Sequence, residues 1–168
     1  MFVAQAIETS NKPELYGELA QQLEALLAGE FDPVANAANT AALIYHSLPA
    51  LNWAGFYFLR ERQELVLGPF QGKPACVRIP MGRGVCGIAA ERQESVLVED
   101  VTVFSDHIAC DSASRSELVV PLMDGELLLG VLDLDSPHLA RFDEEDKKGI
   151  QALAEIYVAA CRPSARAA

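Results

Sequence analysis

The chain has 168 residues, about one domain's length, and its balance of 51% hydrophobic to 22% charged residues is that of a globular protein. Its longest apolar runs fall short of the ~20 residues a membrane-spanning helix requires, so a spanning segment and wholesale disorder are both excluded. Twenty-four acidic residues against 13 basic ones give a formal net charge of −11. Without a basic patch this disfavours nucleic acid and anionic membrane as partners and favours a neutral, cationic or zwitterionic one.

The start, MFVAQAIETSNKPELYGEL, carries neither a basic n-region nor a long apolar h-region, so a cytoplasmic location is expected. In that reducing compartment the four cysteines, Cys76, Cys86, Cys110 and Cys161, read as catalytic, redox or buried thiols rather than as two structural disulfides. No repeat or low-complexity linker interrupts the chain, which is therefore expected to form a single domain over 1–168.

The first predicted helix begins near Pro13, shows Leu15, Leu19, Leu23, Leu26 and Leu27 at helical spacing, and ends at Gly29. A second runs from about Pro33 to Ser47, so the N-terminal helices occupy about 13–48. The period then changes to two. LNWAGFYFL (51–59), a turn at 60–63 and ELVLGPF form a predicted hairpin, with a third strand near Ala75 to Ile79. MGRGVCGIAA is expected to open a short helix and VLVED to form a short strand, and residues 101–115 read as a long polar loop. SELVVPL and ELLLGVLDL read as a second hairpin joined through Asp124-Gly125, a favoured two-residue turn. These sheet strands and loops fill about 51–137. Asp143 is the predicted N-cap of a final helix, about 143–161, on which Ile150, Leu153, Ala154, Tyr157, Val158 and Cys161 make one apolar stripe. The sum is an α+β fold, an antiparallel sheet with the terminal helices packed on one face.

Alternation along 51–59 puts Trp53 and Tyr57 on one face and Ala54, Phe56 and Phe58 on the other. The more hydrophobic face belongs against the helices. Trp53 and Tyr57 are then either ordinary core aromatics or the wall of a pocket suited to a cation or a polarised sulfur group. In GVLDLD, Asp133 and Asp135 are two positions apart and share a face, and Glu117, opening the neighbouring strand, is placed to join them. Such carboxylates against an apolar wall repel one another and lose water, which raises pKa values enough for one to donate a proton near neutrality; they would equally suit an ammonium group. The plain alternative is a solvated strand end with a turn cap at Asp135-Ser136-Pro137.

Gly82-x-Gly84 is either a tight turn or a small nest of N–H groups for a carboxylate or phosphate, and it matches neither a P-loop nor a complete dinucleotide fingerprint. The cysteines contain no CxxC pair, so no metal is expected even with His107 near Cys110. Cys110, in the polar segment HIACDSAS, is the better placed for an accessible thiol, although Asp111 beside it opposes ionisation. Cys161 reads as a buried hydrophobe.

GPFQGKPACVRIP (68–80), MGRGVCGIAA (81–90), VEDVTVFSDHIACDSASRSELVVPL (98–122) and GVLDLDSP (130–137) together resemble the free methionine-(R)-sulfoxide reductases, a family built on the GAF domain. The likeness runs from about Leu51 to Asp146 and includes three cysteines in family register; Cys161 lies outside it. The resemblance implies a GAF-like fold with the active site on the sheet face opposite the helices. It also implies thioredoxin-linked reduction of free L-methionine (R)-sulfoxide without metal or organic cofactor, a thioredoxin or other dithiol being the reductant. By the same resemblance Cys110 is the nucleophile, Cys76 the main resolving cysteine and Cys86 an auxiliary thiol, while Trp53, Tyr57, Glu117, Asp133 and Asp135 line the substrate pocket. A homodimer is expected by analogy with other GAF domains. The rival expectation is a noncatalytic GAF sensor of a small ligand, and a thiol redox sensor is a third.

Overall fold

The structure, a computed structural model, describes residues 5–60, 63–104 and 111–162. Helix α1 (Lys12–Leu27) starts where the Asn11 side chain accepts the Glu14 N–H, with Pro13 in its first turn, where no intrahelical N–H is needed. Helix α2 (Pro33–Ser47) repeats the device with Asp32, which accepts from Val34 N and Ala35 N. Six strands follow, β1 (Trp53–Arg60), β2 (Glu64–Gly72), β3 (Arg78–Pro80), β4 (Val96–Val98), β5 (Ser116–Asp124) and β6 (Leu127–Ser136). Helix α3 (Gly84–Arg92) lies between β3 and β4, and α4 (Glu144–Ala160) closes the order. The strands form one sheet in the order β3-β2-β1-β6-β5-β4, every neighbour antiparallel.

Strand alternation divides the apolar residues between two cores. Ala54, Phe56 and Phe58 of β1, Leu118, Val120 and Leu122 of β5, and Leu132 and Leu134 of β6 pack against Leu19, Leu23, Ile44, Ile150, Leu153 and Tyr157 of the long helices. Trp53, Tyr57, Val119 and Val131 face the other way and pack with Val85, Cys86 and Ala89 of α3. The predicted stripe on α4 is buried except at Cys161, which is half-buried at the helix end. Gly149 of α4 lies against the ring of Tyr16, where any Cβ would overlap that ring, so a glycine here sets how closely α1 and α4 approach.

Asp143 caps α4 as its position predicts, accepting from Glu145 N and Asp146 N, while the Asp146 carboxylate accepts the Asp143 N–H. Two local expectations shift. The second hairpin pairs Asp124 with Leu127, so its two-residue turn is Gly125-Glu126. Gly125 takes φ 63° and Glu126 has no positive φ, the pattern of a turn with glycine first rather than of an Asp-Gly turn. The third strand begins at Arg78, not Ala75. The chain before it arches across β1, where the Lys73 and Cys76 carbonyls accept from aromatic side chains, and Val77 O accepts from Leu67 N of β2.

Candidate active site

The arch and the sheet face beneath it form the site. Trp53 Nε1 donates to Lys73 O at 3.2 Å, and Tyr57 Oη donates to Cys76 O at 3.1 Å. Both aromatics are almost wholly buried, at 3% and 1% exposure, and they stack on one another with ring centroids 5.8 Å apart. Gly55 lies between them, and a Cβ there would overlap the side chains of Phe70 and Trp53; its absence lets Trp53 lie flat between Tyr57 and Phe70, 5.4 Å from the latter. The two readings of these aromatics therefore coincide, because they are core residues whose polar edges tie down the cysteine-bearing arch.

Antiparallel register gathers the carboxylates. Glu117 pairs with Asp135 across β5 and β6, and Asp133 sits opposite Gly55 of β1, where no side chain competes for space. Glu117, Asp133 and Asp135 line a recess with Tyr57, Cys86 and Ser114. A second recess under the arch shares Tyr57, Asp133 and Asp135 and adds Trp53.

Burial dominates the electrostatics. Loss of water holds the Asp133 carboxyl well above the usual carboxylate range, and the neighbouring charge of Glu117 raises it further. Asp135 is raised for the same first reason and then by Asp133, while a hydrogen bond with Ser114 pulls the other way. Cys86 is a free thiol at 3% exposure, 4.0 Å from Glu117 Oε1; burial and then Asp133 push its thiol well up, so it is protonated at neutral pH. Asp133 Oδ1 is buried without a hydrogen-bond partner among the described residues, an acceptor with a place for an incoming donor. Cys86 Sγ and carboxylate oxygens of Glu117 and Asp133 lie within 4.8 Å of one another, close enough to share a cation. Their burial favours the protonated thiol that such binding would have to displace.

Cys76, on the arch, is disulfide-bonded, whereas Cys86 and Cys161 are free thiols. Cys110 and His107 lie outside the described residues. At the glycine-rich turn, Gly82 N donates to Gly87 O and Arg83 N to Pro80 O, so those two N–H groups serve the turn itself, and Gly84, the first residue of α3, lines the recess. Three residues that the sequence reading did not place in the pocket join the site. Asp111 and Ser114 line the recess beside the carboxylates, and Asn52 donates to both, at 3.2 Å to Asp111 Oδ2 and 3.0 Å to Ser114 Oγ. Their only signal in the sequence is their nearness to Trp53 and Cys110.

Residues 22–160 match the GAF domain family. The free methionine-R-sulfoxide reductase of Escherichia coli K12 is 54% identical over 143 residues, 85% of this chain and 86% of that protein. The chain belongs to the GAF-domain family of free methionine-(R)-sulfoxide reductases. The Saccharomyces cerevisiae enzyme of the same description is 42% identical over 159 residues, 90% of this chain and 88% of its own. The X-ray structure of the free methionine-R-sulfoxide reductase of Neisseria meningitidis, in complex with its substrate, superposes with a TM-score of 0.91 at 48% identity and covers 96% of each chain. Membership makes this chain an oxidoreductase and bears out the α+β GAF fold read from its sequence. Among the described residues no helix is long and apolar enough to cross a membrane.

Proposed function

We propose that the chain reduces free L-methionine (R)-sulfoxide to L-methionine through a cysteine sulfenic acid and a disulfide, with thioredoxin or another dithiol restoring the thiols. The observation that carries this reading is a recess of buried carboxyls held well above the usual carboxylate range, walled by Tyr57, whose hydroxyl donates to the carbonyl of a disulfide-bonded cysteine, Cys76. Sulfoxide reduction needs an attacking thiolate, a proton for the departing oxygen and a second thiol to remove it.

The thiolate is Cys110. It attacks the sulfoxide sulfur while the Asp135 carboxyl protonates the oxygen, with Glu117 across the strand pair as the alternative donor. Methionine departs and the oxygen remains on Cys110 as sulfenic acid. The Cys76 thiol then displaces it as water, forming the Cys76–Cys110 disulfide that an external dithiol reduces. Cys76 is disulfide-bonded, as a resolving cysteine in its oxidised form would be. Cys86, buried and protonated, suits a reserve thiol better than a first nucleophile. The substrate ammonium fits the unpartnered Asp133 Oδ1, the Gly84 end of α3 faces the carboxylate, and the aromatic wall of Trp53 and Tyr57 takes the methyl group.

The test is incubation with racemic free methionine sulfoxide and dithiothreitol, each sulfur epimer being followed by chiral chromatography. Loss of the R epimer alone, abolished in Cys110→Ser, is expected. Loss of neither would return the chain to the sensor reading. N-acetyl and peptide-bound methionine sulfoxide lack the free ammonium, would leave a pocket carboxyl without its donor, and are expected to react at least 100-fold more slowly, a penalty typical of a buried polar group left unpaired. Equal rates would rule out recognition of the ammonium.

A further inference from the structure

Behind the carboxylates lies a chain of polar side chains that the reaction just described does not use. Lys73 Nζ, on the arch, meets Asp111 at 3.3 Å, and Asp111 also accepts from Ala113 N at 3.0 Å. The Asn52 amide donates to Asp111 and to Ser114 Oγ, and Ser114 lines the same recess as Asp135. The backbone N–H of Asn52 donates to Asp135 O at 3.0 Å, so the same residue fixes both the main chain of Asp135 and the hydroxyl that shares its recess.

The amide has only one workable orientation. Turned over, its oxygen would face the Asp111 carboxylate, so the nitrogen must point there, and Asn52 Oδ1 is left buried without a partner among the described residues. A hydroxyl that accepts from Asn52 has its own proton directed elsewhere, and among the described residues the Asp135 carboxyl in the same recess can take it.

We propose that Asn52 and Ser114 are positioning residues for the proton donor, orienting the Asp135 carboxyl toward the recess and setting the pH at which it gives up its proton. This rests on the assignment of Asp135 as donor made above. The groups facing Asp135 are Asp133 on its own strand, Glu117 on β5, Tyr57 on β1, Cys86 on α3 and Asp111 on the loop; Lys73 offsets Asp111 from outside. Apart from Lys73 these are acidic or neutral groups that resist ionisation of Asp135, and the Ser114 hydroxyl is the neighbour that favours it.

The experiment is the pH profile of kcat/KM for free methionine (R)-sulfoxide in Ser114→Ala, Asn52→Ala, the double variant and Asp135→Asn. A proton donor is active while protonated, so losing the hydroxyl bond moves the alkaline limb upward. The expected displacement is about one pH unit in Ser114→Ala, in line with a hydrogen bond to a charged group. Asn52→Ala moves the limb the same way by less, the double variant matches Ser114→Ala because Asn52 acts through Ser114, and Ser114→Thr restores the parent profile. An unmoved limb, a downward shift, or additive shifts in the double variant would overturn the proposal. Should turnover be too low to profile, infrared titration of the protonated carboxyl band that disappears in Asp135→Asn reads the same displacement, and an unmoved band would overturn it too. If Asp135→Asn retains full turnover, the donor assignment itself fails, whatever the other variants do.

Discussion

Two buried carboxylate sites stand on opposite faces of the same sheet, and they are treated in opposite ways. Asp146, in the first turn of α4, is 1% exposed and accepts from Lys12 Nζ at 2.6 Å, Tyr16 Oη at 2.8 Å, Arg141 Nη1 at 3.3 Å and the Asp143 N–H at 2.9 Å. Asp133, at 6%, has one oxygen without a partner among the described residues, and the side chains that act on it most are a thiol and another carboxyl. The first site surrounds a charge with donors and ties α1 to α4. The second offers few donors among the described residues, and burial holds its carboxyls well above the usual range. A buried carboxylate is thus a clasp or a reactive group according to what surrounds it, with burial nearly the same in both.

The sharpest way to break this comparison is to neutralise each site. Asp133→Asn or Glu117→Gln is expected to lower kcat/KM by at least ~100-fold, the span of a general acid or a buried polar contact, without lowering the urea midpoint. Loss of stability in Asp133→Asn would mean that the carboxyl supports the fold. Asp146→Ala is expected to do the reverse. It leaves Lys12 and Arg141 without their shared acceptor and costs about 3–5 kcal/mol in denaturant unfolding, while turnover per folded molecule is retained.

The pH dependence of unfolding separates the two sites more finely. Asp133 and Asp135 have folded pKa values raised above their unfolded ones, so their contribution favours the fold below the ordinary carboxylate range and is lost as pH climbs toward the raised values. Stability should therefore fall as pH rises above the ordinary carboxylate range, and Asp133→Asn should flatten that slope. Asp143 is held down to about 2, first by its bond from Lys12 and further by the N–H groups it caps. Its contribution is present above the ordinary value of 3.8 and is lost as pH falls toward 2. Asp143 is more than half exposed, so the acid-side slope removed by Asp143→Ala is expected to be the smaller of the two. The smallest effect is expected from Lys12→Gln, about 1 kcal/mol or less, because Arg141 and Tyr16 still serve Asp146.

Much of this was readable in the order of residues. Leu19 and Leu23 against the helix period, Phe56 against Tyr57 in the strand period, and Asp143 ahead of α4 are local signals: which face a side chain takes follows from φ and ψ and its distance along the chain. Asp133 and Asp135 shared a face for the same reason. The resemblance of the cysteine-bearing segments to a known family added roles that spacing alone left open. What escaped were the partners. The segment around Ala75 has strand-like residues, yet Trp53 and Tyr57 take its carbonyls, and the strand starts three residues later.

By itself, then, the sequence determined the elements, their buried faces and the family, because helical and strand periods, caps and motif registers are properties of short stretches. The tertiary structure alone decided that Glu117 meets Asp135 across two strands, that Gly55 clears space opposite Asp133, and that Asn52 reaches 62 residues along the chain to hold Ser114. Those juxtapositions depend on sheet register and on where loops return. Long-range pairing sets both, and with them the protonation of the carboxyls on which the proposed chemistry rests.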